Sequence, residues 1–368
     1  MRVLMTTDTV GGVWTFTLEM AAGLLERGCM VLLISFGPLP SAAQREQWEE
    51  LEFRYHERFQ FIATEIPVEW FEYDGPVYEQ GAVLLEREAM RFAPDLIHSN
   101  QFCYGAVDVP IPRVITAHRD VLSRDRAREE GTHVLRSPFL SRYQALAQQG
   151  LAAADAVVAP TRWMLEELAR SFMLSRNTAV VAHGRSLDAR IHSFRELRAI
   201  ASGRMSDAIK GLDTLAAVKS PMPIVVAGQT NPGEEGQIPG YGNARFIGQL
   251  SEPEMIDLLE HSSLYISLSF CEPFGITALE AGLCGCAVIA RNIPSLLEVW
   301  GGAALYFEDG KSLSALLERL NSNPEMLRDA RESAFRRAQK FARARMVQQY
   351  LSLFRRVLAP TGRVQYAA

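Results

Sequence analysis

Residues 267–282 read SLSFCEPFGITALEAG, and this stretch decides the fold of the chain. It follows an apolar run at residues 264–266 and leads into a segment with helical spacing, which predicts a strand, a loop and a helix in succession. Pro273 suits the approach to a helix start, and Gly275 lets the backbone come close to a ligand. The first N–H groups of such a helix lie at its positive end and can hold a phosphate or a sugar hydroxyl. They belong to Phe274, Gly275, Ile276 and Thr277.

Two carboxylates flank this helix start. Glu280 follows Glu272 by eight residues, about two helical turns, so both side chains are expected on the same side of a cleft. One carboxylate could accept hydrogen bonds from sugar hydroxyls and the other from a ribose diol. The alternative is that Glu272 only supports the helix N-terminus, a contribution of roughly 0.3–1 kcal/mol.

The alternation of strand and helix continues on both sides of this segment. A strand at residues 2–6, a helix at 14–27 and a strand at 30–35 open the chain as a βαβ unit. In the first half, further strands are predicted at residues 95–98, 113–117, 156–159 and 178–181, with helices at 141–153 and 161–171. In the second half, strands are predicted at residues 197–201, 223–227, 244–247, 264–267, 287–290 and 304–307, with helices at 212–218, 253–261, 274–283 and 295–300. Near-continuous apolar strands that alternate with helices indicate parallel sheets covered on both faces. The predicted fold class is α/β, with two Rossmann-like, doubly wound domains facing a cleft.

The length of 368 residues also favours two domains, because single cores rarely grow beyond roughly 250 to 300 residues. Residues 182–195 contain Gly184 and four charged residues, and we expect them to form the linker. The predicted division is a first domain at residues 1–184, a second at 185–345 and a C-terminal helix at 346–368. The amphipathic pattern of residues 324–357 predicts one helical stretch, long enough to pack back on the first domain.

Composition and charge exclude several classes of protein. No window approaches about 18 uninterrupted apolar residues, and Asp8 lies where a signal peptide would be apolar, so a cytoplasmic protein is expected. The five cysteines have no pattern of a zinc or redox site and are expected to be reduced and mostly buried. A net charge of -5 argues against a nucleic-acid partner. The first 182 residues carry 17 basic and 24 acidic residues, a net of -7, so the second half, at +2, better suits an anionic ligand.

A pair of cations follows the first strand of the second domain. Of 38 basic residues only four are lysines, and one of them, Lys210, lies six positions after Arg204 between two glycines. Arg204 as a planar fork and Lys210 as a point charge would suit a diphosphate at the mouth of a sheet. The alternative is a solvated turn with surface charges.

The first domain offers weaker signals. Gly11 and Gly12, after the first strand, could bring backbone amides close to an anion, or could form a simple turn. His118 directly follows a predicted strand and is either a structural, hydrogen-bonded histidine or a cleft residue. No Asp-x-Asp pair and no motif of a catalytic nucleophile occurs, so no metal is expected to hold the ligand.

Taken in order, these segments resemble a GT-B glycosyltransferase of the retaining family four type, the glycosyl transferases group 1. The resemblance covers nearly the whole chain, and its most specific part is EPFGITALEA at residues 272–281. It also rests on APTR at residues 159–162 and FIGQL at residues 246–250. Such enzymes move a sugar from a nucleotide diphosphate sugar, expected to be a UDP- or GDP-sugar, to an acceptor hydroxyl.

The resemblance also implies roles for particular residues. The donor would lie mostly on the second domain, with its diphosphate on Arg204 and Lys210, its ribose on Glu280 and its sugar on Glu272 with the amides of Phe274 and Gly275. Gly248, Gln249 and Leu250 would contact the base, His118 would lie near the sugar, and Gly12 near the phosphates. Such enzymes keep the anomeric configuration and need neither a metal nor a protein nucleophile, so stabilising the leaving group is the protein's main contribution.

The acceptor is not specified by these motifs and could be a saccharide, a lipid-linked molecule or a small molecule. Residues 67–81, rich in aromatic and acidic side chains, and residues 119–128, with four arginines, lie in the acceptor half. They either bind the acceptor or face water, and water is slightly favoured. A peripheral position at the inner membrane face is compatible with a cytoplasmic enzyme.

Other functions stay open at this stage. A nucleotide-sugar epimerase or hydrolase could use the same scaffold, and so could a non-catalytic nucleotide-sugar binding module. A nicotinamide oxidoreductase would need Gly-x-Gly-x-x-Gly after the first strand, which residues 7–15 lack.

Overall fold

The structure is a computed structural model. It describes residues 1–70, 77–127, 138–192, 194–204, 206–229, 236–237, 241–242 and 244–359. These residues form two seven-stranded sheets, one in each half of the chain, with helices packed against them.

The first sheet is parallel throughout, with the strand order β3-β2-β1-β4-β5-β6-β7. Its strands are β1 (Arg2–Asp8), β2 (Met30–Phe36), β3 (Phe59–Ala63), β4 (Leu96–Ser99), β5 (Arg113–Thr116), β6 (Ala156–Ala159) and β7 (Thr178–Val180). Its helices are α1 (Gly12–Glu26), α2 (Ala42–Tyr55), α3 (Val77–Phe92), α4 (Val121–Arg126), α5 (Pro138–Ala153) and α6 (Arg162–Ser171). The strand order reverses between β1 and β4, and a ligand crevice opens at such a switch point in doubly wound sheets.

The second sheet has the order β10-β11-β9-β8-β12-β13-β14. Its strands are β8 (Glu196–Ser202), β9 (Ile224–Ala227), β10 (Gly236–Gln237), β11 (Ala244–Phe246), β12 (Ser262–Ser267), β13 (Ala287–Arg291) and β14 (Leu305–Phe307). The pairs are parallel except β10 with β11. Its helices are α7 (Glu252–Glu260), α8 (Ile276–Leu283), α9 (Pro294–Trp300), α10 (Gly310–Ser322) and α11 (Pro324–Ala338), and a last helix, α12 (Arg343–Leu358), follows them along the chain. Here the switch point lies between β8 and β12.

The central strands are buried on both faces, which explains their continuous apolar sequences. Every residue of β6, β12 and β13 is buried. All five cysteines are buried free thiols, as predicted.

The last helix belongs to the first core. Met346, Val347, Tyr350 and Phe354 of α12 pack among residues of α1, β1 and β2. The prediction of one helical stretch over residues 324–357 is wrong, because α11 ends at Ala338 and α12 starts at Arg343. The break between them lets the chain turn back toward the first sheet.

The linker runs beside this break. The N–H of Arg185 donates to the carbonyl of Phe341 (2.9 Å), and the N–H of Arg343 donates to the carbonyl of Arg185 (3.2 Å). A Cβ atom at Gly184 would lie 2.7 Å from the carbonyl oxygen of Ala342, so only glycine fits this close crossing. The two passages of the chain between the sheets are therefore hydrogen-bonded to each other.

Candidate active site

A cleft of about 560 Å³ lies between the carboxyl ends of the two sheets. The loops after β1 and β5 line it from one side, and the loops after β8 and β12 from the other. Both switch points contribute, which is where a doubly wound fold binds its ligands.

Most of the predicted site residues meet in this cleft. Its lining includes Gly11, Gly12, His118, Arg204, Lys210, Gln249, Leu250, Glu272, Phe274, Gly275, Ile276 and Thr277. Gly248 and Glu280 are not among the lining residues. The predicted residues therefore lie on loops that line one cleft, except Gly248 and Glu280, which are both buried.

Lys210 and Glu272 form an ion pair inside the cleft, with Nζ 3.1 Å from Oε2. Both side chains are partly exposed to the cleft, so each can exchange this contact for a ligand. A Cβ atom at Gly203 would lie 2.9 Å from the Cβ of Lys210, which shows how tightly this loop folds over the end of β8.

Asp207, which is buried, connects the two halves beside the cleft. It accepts a hydrogen bond from Arg204 (3.1 Å) and another from Arg124 (2.5 Å), which belongs to α4 of the first domain. The carboxylate therefore fixes the guanidinium of Arg204 at the cleft and ties it to the opposite wall.

The helix start lies at the centre of the cleft wall. Gly275 is the N-cap residue of α8 with φ +87°, so a side chain there would strain the backbone. The helix begins at Ile276, two residues after the predicted Phe274. A Cβ atom at Gly12 would lie 3.2 Å from Cδ1 of Ile276, so glycine at this position brings the first loop of the chain against the helix start.

His118 has both ring nitrogens engaged. The amide nitrogen of Asn100 donates to the carbonyl of Thr6 (2.6 Å) and to Oγ1 of Thr17 (3.0 Å), which turns the amide oxygen toward Nε2 of His118 (2.8 Å). Nε2 of His118 therefore carries the proton, and Nδ1 accepts from Nε2 of His183 (3.3 Å). Burial lowers the pKa of His118 well below its usual value and that of His183 to about 3. Both rings are neutral, and His118 has no nitrogen left to take a proton from a substrate.

Arg185, to which the sequence assigned no contact, is the centre of a buried cluster. Its guanidinium contacts three carboxylates, Oε1 of Glu19 (2.5 Å), Oε1 of Glu280 (2.9 Å) and Glu252. Glu19 lies on α1, Glu252 on α7 and Glu280 on α8, so the linker arginine joins helices of both domains. Glu280 is 7% exposed, and burial raises its pKa to about 7 against the opposing charge of Arg185.

A second cavity, of about 750 Å³, lies beside the cleft and is lined mostly by the first domain. Both spaces are lined by Val13, His118, Arg119, Arg124 and Ile209. The second cavity is also lined by Asp8, Glu69, Trp70, Asn100, Phe102, Asp120, Val121, Asp125, Tyr143, Ser206 and Ala208.

Residues 67–81 and 119–128, for which exposure to water was slightly favoured over acceptor binding, are mixed in their described part, since Glu79, Gln80 and Arg126 are exposed but other residues are not. Val68 and Leu122 are buried in the core, and Asp120 is 2% exposed. The guanidinium of Arg119 lies 3.7 Å from the ring centroid of Trp70. Residues 71–76 and residue 128 lie outside the described residues. Parts of both segments line the second cavity: Glu69 and Trp70 of the first, and Arg119, Asp120, Val121, Arg124 and Asp125 of the second.

Asp8, at the end of β1, also lines this cavity, and the sequence analysis did not name it as a site residue. Oδ1 accepts from the N–H of Val10 (2.9 Å), and Oδ2 lies 4.0 Å from Nη2 of Arg119. Burial raises the pKa of Asp8 to about 6, against the lowering effect of Arg119. Its position at the end of the first strand, just before the loop at Gly11, is the sequence feature that could have indicated a site residue.

Two family models match the chain. Residues 10–189 match Glycosyltransferase Family 4, and residues 204–337 match Glycosyl transferases group 1. The chain belongs to the group 1 glycosyltransferases. The two matches coincide with the two halves that face the cleft.

Solved structures show the same architecture, the GT-B fold. A sucrose-phosphate synthase from Thermosynechococcus elongatus has a TM-score of 0.75 at 16% identity, over 97% of this chain and 99% of that one. HepE from Anabaena, solved in complex with UDP-glucose, has a TM-score of 0.69 at 16% identity, over 96% of this chain and 99% of that one.

Among relatives in sequence, the serotype-specific mannosyltransferase WbdA of Escherichia coli is 28% identical over 39% of this group 1 glycosyltransferase. The matched stretch is 19% of the length of WbdA. A phosphatidyl-myo-inositol mannosyltransferase of Propionibacterium freudenreichii is 36% identical over 33% of this chain and 34% of its own. The chain thus spans about a fifth of the length of the first relative and about a third of the second.

Two further findings concern the described residues alone. None of their helices has the length and apolarity to cross a membrane. Nor do their His, Cys, Asp and Glu side chains form a group of three or more that could hold a metal ion.

Proposed function

We propose that the protein transfers a sugar from a nucleotide diphosphate sugar to an acceptor hydroxyl, with retention of the anomeric configuration and without a metal. The observation that carries this proposal is the cluster of Arg204, Lys210, Glu272 and the start of α8 on one wall of the cleft. Two cations and a helix N-terminus suit a diphosphate, while a carboxylate suits the hydroxyls of a sugar.

The distance of 3.1 Å between Nζ of Lys210 and Oε2 of Glu272 supports the assignment of the phosphate to the one and the sugar to the other. In a nucleotide sugar the distal phosphate is bonded directly to the anomeric carbon, so the groups that bind phosphate and sugar must be neighbours. Lys210 would turn to the phosphate and Glu272 to the sugar, and the donor would replace the ion pair that the two residues make with each other.

In the proposed reaction the acceptor oxygen forms a bond to the anomeric carbon while the bond from that carbon to the phosphate oxygen breaks. The bonding electrons leave with the diphosphate, which takes the acceptor proton on the same face of the sugar. Arg204, Lys210 and the amides at the start of α8 stabilise the charge that develops on the leaving group, and preorganised groups of this kind supply a large part of catalysis. His118, neutral and hydrogen-bonded at both nitrogens, shapes the cleft next to the sugar.

The donor base and sugar are proposed from the relatives. One structural neighbour was solved with UDP-glucose and two sequence relatives are mannosyltransferases, so a UDP- or GDP-hexose is the expected donor. The base would lie at Gln249 and Leu250. Glu280 would bind the ribose only if its carboxylate contacts the ribose hydroxyls and Arg185 at the same time.

A melting-temperature screen tests the proposal directly. UDP, GDP, ADP and their hexose derivatives are added to the protein, because a ligand that binds only the folded state raises the melting temperature. The proposal expects one nucleotide and its sugar to raise it, and mass spectrometry of reactions with acceptor mixtures to show a new glycoside. A rapid change of the sugar without any acceptor would favour the alternative, an epimerase or hydrolase.

A further inference from the structure

Thr161, in the APTR segment at residues 159–162, lies where β6 ends and α6 begins. It is the N-cap residue of α6, and its Oγ1 accepts a hydrogen bond from the N–H of Met164 (3.1 Å). Although it lies in a loop at the edge of the first sheet, it is only 1% exposed. The second domain covers it.

The hydroxyl of Thr161 has a second partner, in the other domain. It donates to the carbonyl oxygen of Pro273 (3.0 Å), which belongs to the EPFGITALEA segment. A hydroxyl has one hydrogen to donate and two lone pairs that accept, so a single Oγ1 can serve both Met164 and Pro273. The cap of a first-domain helix therefore also holds the loop that leads into α8.

The bond to Pro273 fixes the orientation of the next peptide unit. A peptide is planar and trans, so the carbonyl oxygen of one residue and the N–H of the following residue point in opposite directions. Because the oxygen of Pro273 is directed at Thr161, the N–H of Phe274 points away from α6. Phe274 lines the cleft, and no hydrogen bond within the described part of the chain uses this N–H. It is therefore available to a ligand.

Glu298, on α9 of the second domain, holds the start of α6. Its Oε1 accepts from the N–H of Arg162 (2.7 Å) and its Oε2 from the N–H of Trp163 (3.0 Å). These N–H groups belong to the first turn of the helix and have no partner inside it, and a negative charge is favourable at this end. Since Thr161 directly precedes Arg162, the two bonds also keep Thr161 next to Pro273.

We infer that Thr161 is a positioning residue for sugar transfer, because its hydroxyl aims the N–H of Phe274 at the sugar of the bound nucleotide sugar. Glu298 keeps Thr161 in place. The inference rests on the proposed function and on the contact between this N–H and the sugar that the family resemblance implies. Thr161 and Pro273 belong to different domains, so the N–H is aligned only in the arrangement of the two sheets that the structure shows. A small misplacement of a group that orients a substrate lowers the rate strongly.

Thr161→Val tests the inference, since it removes the hydroxyl and keeps the branched shape of the side chain. In the full chain, with the nucleotide sugar found in the melting screen, we expect kcat to fall at least about tenfold. The affinity for UDP or GDP without a sugar, measured by isothermal titration calorimetry, should change less than about twofold, because the N–H of Phe274 contacts only the sugar. Thr161→Ser keeps a hydroxyl and should restore kcat to within about threefold of the wild type.

Thr161→Val also removes the cap of α6, and the control separates this effect from positioning. Asn323→Ala removes the cap of α11, where Oδ1 of Asn323 accepts from the N–H of Met326 (3.0 Å). It should lower stability in urea and leave kcat unchanged. An unchanged kcat in Thr161→Val, or a loss of nucleotide affinity as large as the loss of kcat, would overturn the inference.

Glu298→Gln gives a second test that does not depend on whether Thr161→Val folds. Glu298 is exposed, and its replacement leaves one acceptor oxygen for two N–H groups. We expect kcat to fall at least about threefold with the nucleotide affinity unchanged, whereas Glu318→Gln, an exposed change on α10, should have no effect. Equal kcat in the two glutamine variants contradicts the role of Glu298, and the whole inference if Thr161→Val does not fold. A wild-type protein that neither binds a nucleotide nor transfers a sugar refutes the proposed function instead.

Discussion

Nε of Arg185 lies 2.9 Å from Oε1 of Glu280, so the linker between the domains is bound to the helix that begins at the cleft. Burial opposes the charge of Arg185, but Glu280, Glu252 and Glu19 together raise its pKa above the usual value. The three carboxylates belong to three helices on both sides of the cleft. Their shared cation therefore couples the relative position of the two halves to the second carboxylate of the EPFGITALEA segment.

Replacement of Arg185 by Ala should destabilise the protein strongly, because three carboxylates then face one another in a buried space. Breaking a buried ion pair by removing one partner costs about 3–5 kcal/mol. Urea unfolding monitored by circular dichroism would measure the loss. Arg328→Ala, which removes an exposed partner of Asp329, should change stability by less than about 0.5 kcal/mol. Equal stability of the two variants would contradict this role of Arg185.

Lys210→Ala and Glu272→Ala should each reduce turnover at least about tenfold, equivalent to roughly 1.4 kcal/mol of transition-state stabilisation. Lys210→Ala removes a cation that would contact the leaving diphosphate. Glu272→Ala removes a carboxylate that would contact the sugar. Their mutual ion pair is partly exposed, so stability should change by no more than about 1 kcal/mol. Initial rates with the donor from the melting screen measure the effect. Lys311→Ala, at an exposed position on α10, is the matched control, and near-normal turnover in both cleft variants would refute the assignment.

His98 leads to a prediction about how the free energy of unfolding depends on pH. It is fully buried, its Nε2 pairs with Oγ1 of Thr116 (2.7 Å), and burial lowers its pKa to about 3. A folded-state pKa below the unfolded value means that the unfolded chain binds the extra proton between about pH 3 and 6.5, so stability is lost as the pH falls through that window. His98→Asn, which cannot titrate, should remove up to about 1.4 kcal/mol per pH unit of this dependence.

Urea unfolding at about pH 5 and about pH 6 measures this slope for the wild type and the variant. Asp8 and Glu280, whose pKa values are raised, act in the opposite direction in both proteins and cancel in the comparison. The same slope in both proteins would show that His98 takes up its proton in the folded state.

The strands and the cleft could be predicted from the sequence because both correspond to local sequence patterns. A strand buried on both faces is a short apolar run, and parallel strands place their following residues on one edge, so Lys210, Glu272 and His118 could be assigned to one cleft. Helix α10 had such a pattern too, an Asp309 cap followed by leucines at helical spacing, and it was missed. Helix α2 has no apolar face, since no residue of it is buried, although Ser41 and Gln44 form a capping box at its start.

Arg185 and Arg119 could not be assigned from the sequence for a different reason. Each acts through partners that are distant along the chain, such as Glu19, which lies 166 residues before Arg185. In a chain where 34 of 38 basic residues are arginines, one more arginine carries no signal. Charge clusters of this kind become visible only when the fold brings their members together.

The contact between α1 and α12 gives the last prediction. A Cβ atom at Gly23 would overlap with the side chain of Val347, which is stiff and fully buried, so Gly23→Ala should overpack the first core by about 1–3 kcal/mol. Val347→Ala opens a cavity in the wild type but leaves room for the new methyl group, so the double variant should be more stable than the sum of the single losses predicts. Urea unfolding of the four proteins measures this coupling energy. Gly302→Ala, where a Cβ atom would meet no atom within 4 Å, should leave stability within about 0.5 kcal/mol of the wild type. Strict additivity of the two core changes would mean that α12 does not pack on α1 at Gly23, and that the C-terminal helix is held to the first domain by its other contacts.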